Sequence, residues 1–518
     1  MSPSTEPPLQ ESRSESNLHG GDAIRAQRIA QLSDWAAKGL NPYPYRFDRT
    51  ATAAHLQAHY AELANGVDTQ DVVSVAGRIM AIRNAGLFLD LQDESGKIQA
   101  VCHKDYLTPG CLETLKWLDL GDIVGVTGIV RRTPRGELSI RVERYELLAK
   151  ALLPLPEKYH GLNDLETRTR QRYLDLIVNA ESRDRLKKRA QVVASIRQSL
   201  TQAGFLEVET PMLHPIAGGA AAKPFVTHHN ALDTDLYLRI APELYLKRLI
   251  AGGLSDKLFE LNRCFRNEGI SPKHNPEFTS VEIYQAYVDY TEMMTLTETL
   301  VSQAALAVTG AMRVPYGDIE LDFTPPWPRK RMSDLIFEKT GVDFMTLDSD
   351  LAAREAAKKL GVDLDVSDAR MSWGHCVAAA FEARVEAALI QPIHVMDLPQ
   401  AISPLAKIKR EQVQRNPQPV QLLVERFESF AFGWELANAF SELTDPLDQR
   451  ARFEAQVAER AAGDAEAHPM DLDYINALEY GLPPTGGMAI GIDRLAMLLT
   501  NASHIRDVIL FPTLRPKH

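Results

Sequence analysis

The sequence predicts an α+β protein in two parts, a small barrel of five strands followed by a larger domain that mixes strands and helices. Three observations carry this expectation. At 518 residues the chain is too long for one ordinary core. Between residues 71 and 148, short apolar runs alternate with polar residues and are separated by turn signals. Beyond residue 180, stretches of helical periodicity are interspersed with strand-like ones. A hydrophobic content of 45% and a charged content of 24% describe a soluble globular protein. The formal net charge of −12 excludes nonspecific nucleic-acid binding by the whole molecule, so any RNA contact needs a local basic face.

Residues 1–22, rich in Ser, Pro and Glu and closing on Gly20-Gly21, read as a disordered tail. Residues 23–66 read as helices. Ala23–Lys38 places Ile24, Ile29, Leu32, Trp35 and Ala36 on one face, Gly39 stops it, and Ala51–Leu63 is the second helix. Residues 67–150 hold the strands Asp71–Arg83, Leu87–Gln92, Ile98–His103, Ile123–Val130 and Leu138–Leu148, with a helix at Cys111–Leu118. Five strands with a helix between the third and fourth is the order of the OB-fold, which binds single-stranded nucleic acid by stacking bases beside cations. Arg78, Arg83, Arg131, Arg132 and Arg141 supply local positive charge. Phe88 is the candidate stacking platform, although position alone favours a core residue. Residues 151–178, with Pro154 and Pro156, read as a linker leading into a helix.

Residues 179–518 form the larger domain. Glu181–Ala203 is a helix, and Phe205–Glu209 is a strand that stops at Pro211. Gly218-Gly219-Ala220 lets a backbone approach a ligand, and Ala241–Leu249 carries Glu243 near a helix start. Lys257–Tyr287 is a long hairpin whose tip holds Arg266, Asn267, Glu268, Lys273, His274 and Asn275, a set suited to an anionic, nucleotide-like ligand. Glu292–Thr309 is a helix, and residues 325–392 read as a helical insertion with little chemistry of its own. Val424–Trp434 and Glu435–Glu442 are strands carrying Glu428, Glu435 and Glu442 at spacings of seven. These share a side only if a turn or bulge intervenes, for which Gly433 is placed. Carboxylates among Phe427, Phe430, Phe432 and Phe440 need a metal or an amine. Gly486–Ile492 is a glycine-rich strand entering a helix at Asp493, with Arg494 in the first turn.

Cys102, Cys111, Cys264 and Cys376 form no CxxC pair, so a reducing cytosol is the expected compartment. No apolar run approaches a membrane span, and the N-terminus lacks a signal-peptide core.

FRNEGISPKHNPEFT resembles the second signature of class II aminoacyl-tRNA synthetases, and GMAIGIDRL the third. The helix and strand ending at Pro211 resemble the first, which forms the dimer interface. The N-terminal OB domain points to the aspartate, asparagine and lysine subgroup. GGAAAKPFVTHHNALDTDLYLRIAPELYLKRL and ELANAFSELTDPLDQRARFEAQ resemble the lysyl-tRNA synthetases within it. The resemblance implies a catalytic domain built on an antiparallel sheet flanked by helices, and a homodimer using ATP, lysine, lysine tRNA and Mg²⁺. It implies that Arg266 bridges the substrate carboxylate and the α-phosphate. Glu268 and Asn275 contact adenine, which stacks between Phe278 and Arg494, while Lys273 and His274 lie by the phosphates. Glu442 and Tyr284 take the substrate ε-ammonium, and Gly219 and Glu243 the α-amino group. Glu282, Asn438 and Phe440 complete the pocket, and Glu428 and Glu435 hold Mg²⁺. Phe88 stacks an anticodon base, flanked by Arg83, Gln99 and Glu137. Lys273 stands where many members have Arg, Trp434 where Arg is frequent, and residues 398–404 differ from the common pattern. An aspartyl or asparaginyl enzyme, a protein lysyltransferase paralogue and a non-catalytic RNA-binding protein are the alternatives. The acidic pocket, the barrel and the retained Arg266, Glu435 and Arg494 oppose them in turn.

Overall fold

The computed structural model describes residues 15–156, 162, 164–220, 222–368, 370–413, 420–462 and 467–516. Residues 1–14 of the expected tail lie outside these. The chain divides between residues 161 and 162 into two units.

In the first unit, α1 runs Glu15–Ala37, so it begins before the expected Ala23 and passes through Gly20-Gly21. Glycine inside a helix costs about 1 kcal/mol, which lowers stability without forbidding the helix. Its buried stripe is not the expected one. Ile24 and Ile29 are exposed, whereas Arg28 and Trp35 are buried. Arg28 satisfies its charge by donating to the carbonyls of Leu120, Ala151 and Leu153, and Trp35 packs edge-on against Trp117. Helix α2, Ala53–His59, is capped by Thr52. The strands β1 Asp68–Arg83, β2 Phe88–Gln92, β3 Lys97–Val101, β4 Ile123–Arg132 and β5 Leu138–Ala149, with α3 Pro109–Thr114 before β4, close into a barrel of order β1-β2-β3-β5-β4. Leu89 and Leu91 point into its core while Phe88 is only half-buried on the outer side. The expectation from position, a core Phe88, is therefore reversed: the alternation of β2 hands the interior to its two leucines.

The second unit begins inside the expected linker. Helices α4 Leu165–Arg170 and α5 Arg172–Val178 are locked in place rather than spanning solvent. Arg172 is fully buried, pairs with Asp175 at 2.7 Å, and donates to the carbonyls of Arg506, Ile509 and Leu510. A mixed-charge run reads as a linker until each charge is seen to have a partner. Next come α6 Ala180–Gln202, the short strand β6 Leu206–Glu207, and a small sheet of β7 Leu213–His214, β8 Val226–His229 and β9 Thr234–Leu238. These lead to α7 Glu243–Ala251, the hairpin of β10 Lys257–Phe265 and β11 Glu277–Ala286, α8 Tyr290–Thr309, and the pair β12 Arg313–Tyr316 and β13 Ile319–Asp322. The chain continues through β14 Arg329–Arg331, α9 Met332–Thr340, α10 Asp350–Lys359, α11 Trp373–Arg384, β15 Ile393–Met396, β16 Arg426–Ala431 and β17 Trp434–Ser441. It closes with α12 Pro446–Ala461, α13 Leu472–Glu479, β18 Thr485–Gly491 and α14 Ile492–Leu499.

Eight strands form the main sheet in the order β14-β15-β16-β17-β18-β11-β10-β6. Its interior is antiparallel, and only the outermost pairs, β14 with β15 and β6 with β10, are parallel. The expected helical insertion at 325–392 thus contributes β14 to the sheet. One face is sealed by α6, α8 and α14, whose Ile196, Met293, Val301 and Leu495 bury against Val281, Ile283 and Ile490. Alternation along β11 then sends Ser280, Glu282 and Tyr284 to the opposite face. Asp289 and Glu292 start α8 with a reciprocal capping box. Between β16 and β17, Phe432 and Gly433 turn with φ of 56° and 65°, and the register shifts beside Ser429. That bulge brings Glu428 and Glu435 to the same cavity despite their odd spacing.

Candidate active site

The β10–β11 hairpin holds its charged tip by backbone bonds. Arg266 N donates to Pro276 O at 2.8 Å, Asn267 N to Lys223 O at 2.8 Å, and Ile505 N to Pro272 O at 2.7 Å. Under it lies a cavity of about 320 Å³. Arg266, Glu268, Lys273, His274, Asn275 and Phe278 line it from the hairpin. Glu282, Glu435, Asn438 and Arg494 complete it from the sheet and α14. The Arg266 guanidinium lies 5.1 Å from the centre of the Phe278 ring, and its Nε is buried without a protein partner. Arg494 donates to Glu435 O at 2.8 Å and approaches His274 Nε2 at 3.0 Å. A guanidinium only donates, so His274 Nε2 accepts and its proton sits on Nδ1, 2.7 Å from Ser271 Oγ. Burial, then Arg494, Lys273 and Arg266, keep the His274 pKa below its ordinary value. Three cationic side chains, Arg266, Lys273 and Arg494, thus face one space, with His274 holding Arg494 in place, a charge pattern for a polyphosphate. Asn275 donates to Glu277 O, which leaves its buried Oδ1 an unpaired acceptor.

A second cavity, about 410 Å³, shares Arg266, Glu435 and Asn438 with the first. Gly219, Glu243, Glu428 and Phe440 line it. Gly219 has φ of 91°, and a Cβ there would stand 3.2 Å from Ala241 Cβ, so glycine brings the backbone close to Glu243. Glu442 and Tyr284 stand behind the lining of the two cavities, next to Glu243, Glu282 and Phe440. Both are buried, with Glu442 against Gly487. Glu442 is paired with Lys247, a residue that sequence reasoning passed over, and Lys247 Nζ also meets Glu243 at 2.5 Å. A lysine four residues after a glutamate on an apolar helix is the signal that could have found it. Burial, with Glu243 and Glu260 adding, pushes the Glu282 carboxyl up to about 8.

Glu428 and Glu435 fit a divalent cation as an open pair. Burial pushes the Glu428 carboxyl to about 7 against the pull of Arg426, the signature of a buried negative charge short of compensation. No cluster of three or more metal-binding side chains occurs among the described residues. Two carboxylates suit a hard ion that takes its remaining ligands from phosphates and water. The 325–392 segment is not inert here: Glu386 reaches Lys273 at 3.7 Å, and His375 lines the second cavity. Arg189 on α6 pairs with Asp493 at 2.7 Å, and Asp493 accepts from Thr279 N at 2.7 Å, so that α6 steadies the turn before Arg494. Neither acidic partner was legible without the fold.

The pattern of the class II tRNA synthetases (D, K and N) matches residues 164–515, and that of an OB-fold nucleic acid binding domain matches residues 73–148. This chain belongs to the class II tRNA synthetases. The lysine–tRNA ligase of Thermosynechococcus vestitus is 54% identical over 505 residues, covering 96% of this chain and 97% of its own. Those of Moorella thermoacetica and Sinorhizobium medicae are 53% and 50% identical, each over at least 95% of both chains.

In this synthetase the barrel presents one outer face built from β1, β2 and β3. Arg83 lies 5.9 Å from the Phe88 ring and pairs with Asp90, and Asp90 stands opposite Gln99. Gln99 is buried and accepts from Ser139, whereas Glu137 is exposed on the β4–β5 turn. Arg131 and Arg141 both pair with Asp68. Arg78 and Arg132 do not serve this face: they donate to backbone carbonyls of Gly121, Gly136 and Tyr60. Pro211 accepts from His214 and sits beside exposed Leu206, Met212 and Leu213. No helix among the described residues is long and apolar enough to cross a membrane.

Proposed function

We propose that the synthetase is a lysine–tRNA ligase. It joins lysine to ATP, giving lysyl-adenylate and pyrophosphate, and then passes the lysyl group to the terminal 3′-hydroxyl of lysine tRNA. The observation that carries this reading is that a cation-lined cavity and a carboxylate-lined one meet at Arg266. The first suits the triphosphate, the second suits an amino acid with a cationic side chain, and Arg266 stands where the two substrates react. In the first step a lysine carboxylate oxygen attacks the α-phosphorus, and the bond to the β-phosphate oxygen breaks with its electrons leaving on pyrophosphate. In the second the 3′-oxygen attacks the acyl carbon and AMP departs. No side-chain nucleophile is needed, and catalysis is alignment and charge neutralisation. Arg266 orients the lysine carboxylate with Asn438 and neutralises the α-phosphate. Lys273 and His274 hold the outer phosphates. Asn275 Oδ1 and Glu268 accept from adenine, which Phe278 and Arg494 cover. Glu243 takes the α-ammonium beside Gly219, and Glu442, Tyr284 and Glu282 take the ε-ammonium, with Phe440 along the side chain. Glu428 and Glu435 would hold Mg²⁺, which supplies charge neutralisation on the phosphates. The exposed apolar residues around Pro211 support a homodimer interface. Four free cysteines fit a cytoplasmic enzyme.

ATP–pyrophosphate exchange across all amino acids, followed by charging of the matching tRNA, tests the assignment. Exchange driven by aspartate or asparagine and not by lysine would overturn it. Phe88→Ala should leave exchange unchanged and weaken charging at limiting tRNA by about 5- to 150-fold, since one stacked base is worth about 1–3 kcal/mol. An equal loss in both assays would mean that Phe88 only supports the barrel.

Glu282 makes lysine binding depend on pH. Its carboxyl titrates near 8 in the ligand-free fold against an ordinary 4.5, so between these values the folded state holds the proton and stability falls as pH rises. An arriving ammonium favours the carboxylate and expels that proton. Calorimetry in buffers of differing ionisation heat should find about one proton released per lysine at pH 7, and about none in Glu282→Gln.

A further inference from the structure

Lys247 is the cation that bridges Glu243 and Glu442 behind the second cavity. Its side chain is fully buried. Nζ is paired with Glu243 on its own helix and with Glu442 just past the end of β17, and it lies 5.2 Å from the Phe440 ring. Glu442 is faced by Lys247 and Glu243 from α7, Glu282 and Tyr284 from β11, and Tyr474 from α13, and His468, which lines the second cavity, stands near Lys247. On β18, Gly487 presents only backbone, and a Cβ there would stand 1.9 Å from Glu442 Oε1. Among these groups Lys247 is the one lysine or arginine. Neither Glu442 oxygen nor the Tyr474 hydroxyl has a well-aligned hydrogen bond, although Lys247 stands beside both, and His468 Nδ1 is buried without a partner. A carboxylate in such a place is costly unless a cation stands beside it.

We infer that Lys247 is a positioning residue for substrate selection: its ammonium is the internal counter-charge that favours the carboxylate form of Glu442 and fixes that group in the wall behind the second cavity. The inference rests on the lysine–tRNA ligase reading, in which Glu442 meets the substrate ε-ammonium. Burial is the largest influence on the Glu442 carboxyl and holds it above the usual range even with Lys247 beside it, and Lys247 is the strongest influence pulling it back down. Without Lys247, Glu442 holds its proton and offers the substrate a neutral acid. A neutral acid pairs weakly with an ammonium and no longer separates lysine from an uncharged analogue of the same length such as norleucine. Lys247 thereby reads the substrate without touching it. It also cross-braces the two carboxylates that meet the two ends of the substrate, because Glu243 and Glu442 share the same nitrogen.

The test is ATP–pyrophosphate exchange by the full-length protein from pH 6 to 8.5, in wild type, Lys247→Met, Lys247→Arg and Glu442→Gln, with thermal unfolding recorded for each. In Lys247→Met the lysine KM should rise on the order of 100-fold at pH 7 and recover as pH rises, while the ATP KM stays within about twofold. Selectivity for lysine over norleucine should fall with it, and Lys247→Arg should restore most of both. The Glu282 contribution is common to both profiles, so the difference between them belongs to Glu442. A profile parallel to wild type, or a lysine KM within about threefold of it, would overturn the role whatever the change in stability. Should Lys247→Met fail to fold, the double variant Lys247→Met/Glu442→Gln removes one charge of each sign. A lysine KM equal to that of Glu442→Gln alone supports the inference, and a further loss of about tenfold overturns it. A wild-type protein that fails to exchange with lysine would refute the functional reading instead.

Discussion

Arg266→Ala is expected to lower ATP–pyrophosphate exchange by at least about 10³-fold, with thermal unfolding and association state unchanged. Arg266 opens the hairpin loop directly after β10 and lines both cavities, so one side chain serves two substrates. Its buried Nε lacks a protein partner, and its guanidinium lies 5.1 Å from the centre of the Phe278 ring. Alanine therefore breaks little in the free protein. In the reacting complex it removes the charge that offsets both the lysine carboxylate and the α-phosphate. Two anions must approach to bonding distance, and without the cation between them their repulsion returns in a cavity shielded from water. The loss should fall on kcat as well as on both KM values. Exchange within about tenfold of wild type would show that Arg266 is not placed between the substrates. Lysine at the same position should rescue only partly, because a point charge cannot fork onto two anions.

The second large effect is expected from Gly487→Ala. This substitution adds a single methyl group in the centre of the sheet. The new Cβ would stand 1.9 Å from Glu442 Oε1 and 2.6 Å from the Tyr284 ring. Residue 487 faces Tyr284 on β11 and Phe440 on β17, so the backbone on both sides is fixed by ladder bonds. The side chains must move, and Glu442 moves first because its carboxylate is nearest. Overpacking costs about 1–3 kcal/mol of stability. The functional cost should be larger: a lysine KM raised on the order of 100-fold with the ATP KM nearly unchanged, since the ATP cavity lies on the other side of Arg266. A parallel rise in both would mean that the sheet, and not the carboxylate, had been displaced.

Much of this site is legible in the residues themselves. The hairpin tip declares its charge, the glycine strand before Arg494 declares a close approach, and Phe88 lies among arginines of the predicted barrel. What stays hidden depends on pairing across long separations. Lys247 reads as a surface lysine on a helix until β17 brings Glu442 beside it. Arg172 reads as part of a charged linker until the carbonyls of residues 506–510 close around it. Glu386 reads as insertion surface until the turn at Phe432-Gly433 brings its segment against the β16–β17 hairpin, from where it reaches Lys273. Arg78 and Arg132 err in the opposite sense: arginine near a nucleic-acid face suggests binding, and these two spend their donors on backbone carbonyls. A local pattern reports residue type and face, and it is silent on which distant group will neutralise a charge.

The strand order β17-β18-β11 has a temporal consequence. It sets residues 434–441 and 277–286 on either side of residues 485–491, so neighbours in the pocket are separated by some 50 to 200 positions along the chain. Closing loops of that length is slow, and no single helix or hairpin gains much before the others arrive. A partly folded chain can own every helix of this unit and still have no amino-acid pocket. The pocket is among the last things the molecule acquires, and amino acid and nucleotide bound there stabilise only chains that have finished folding.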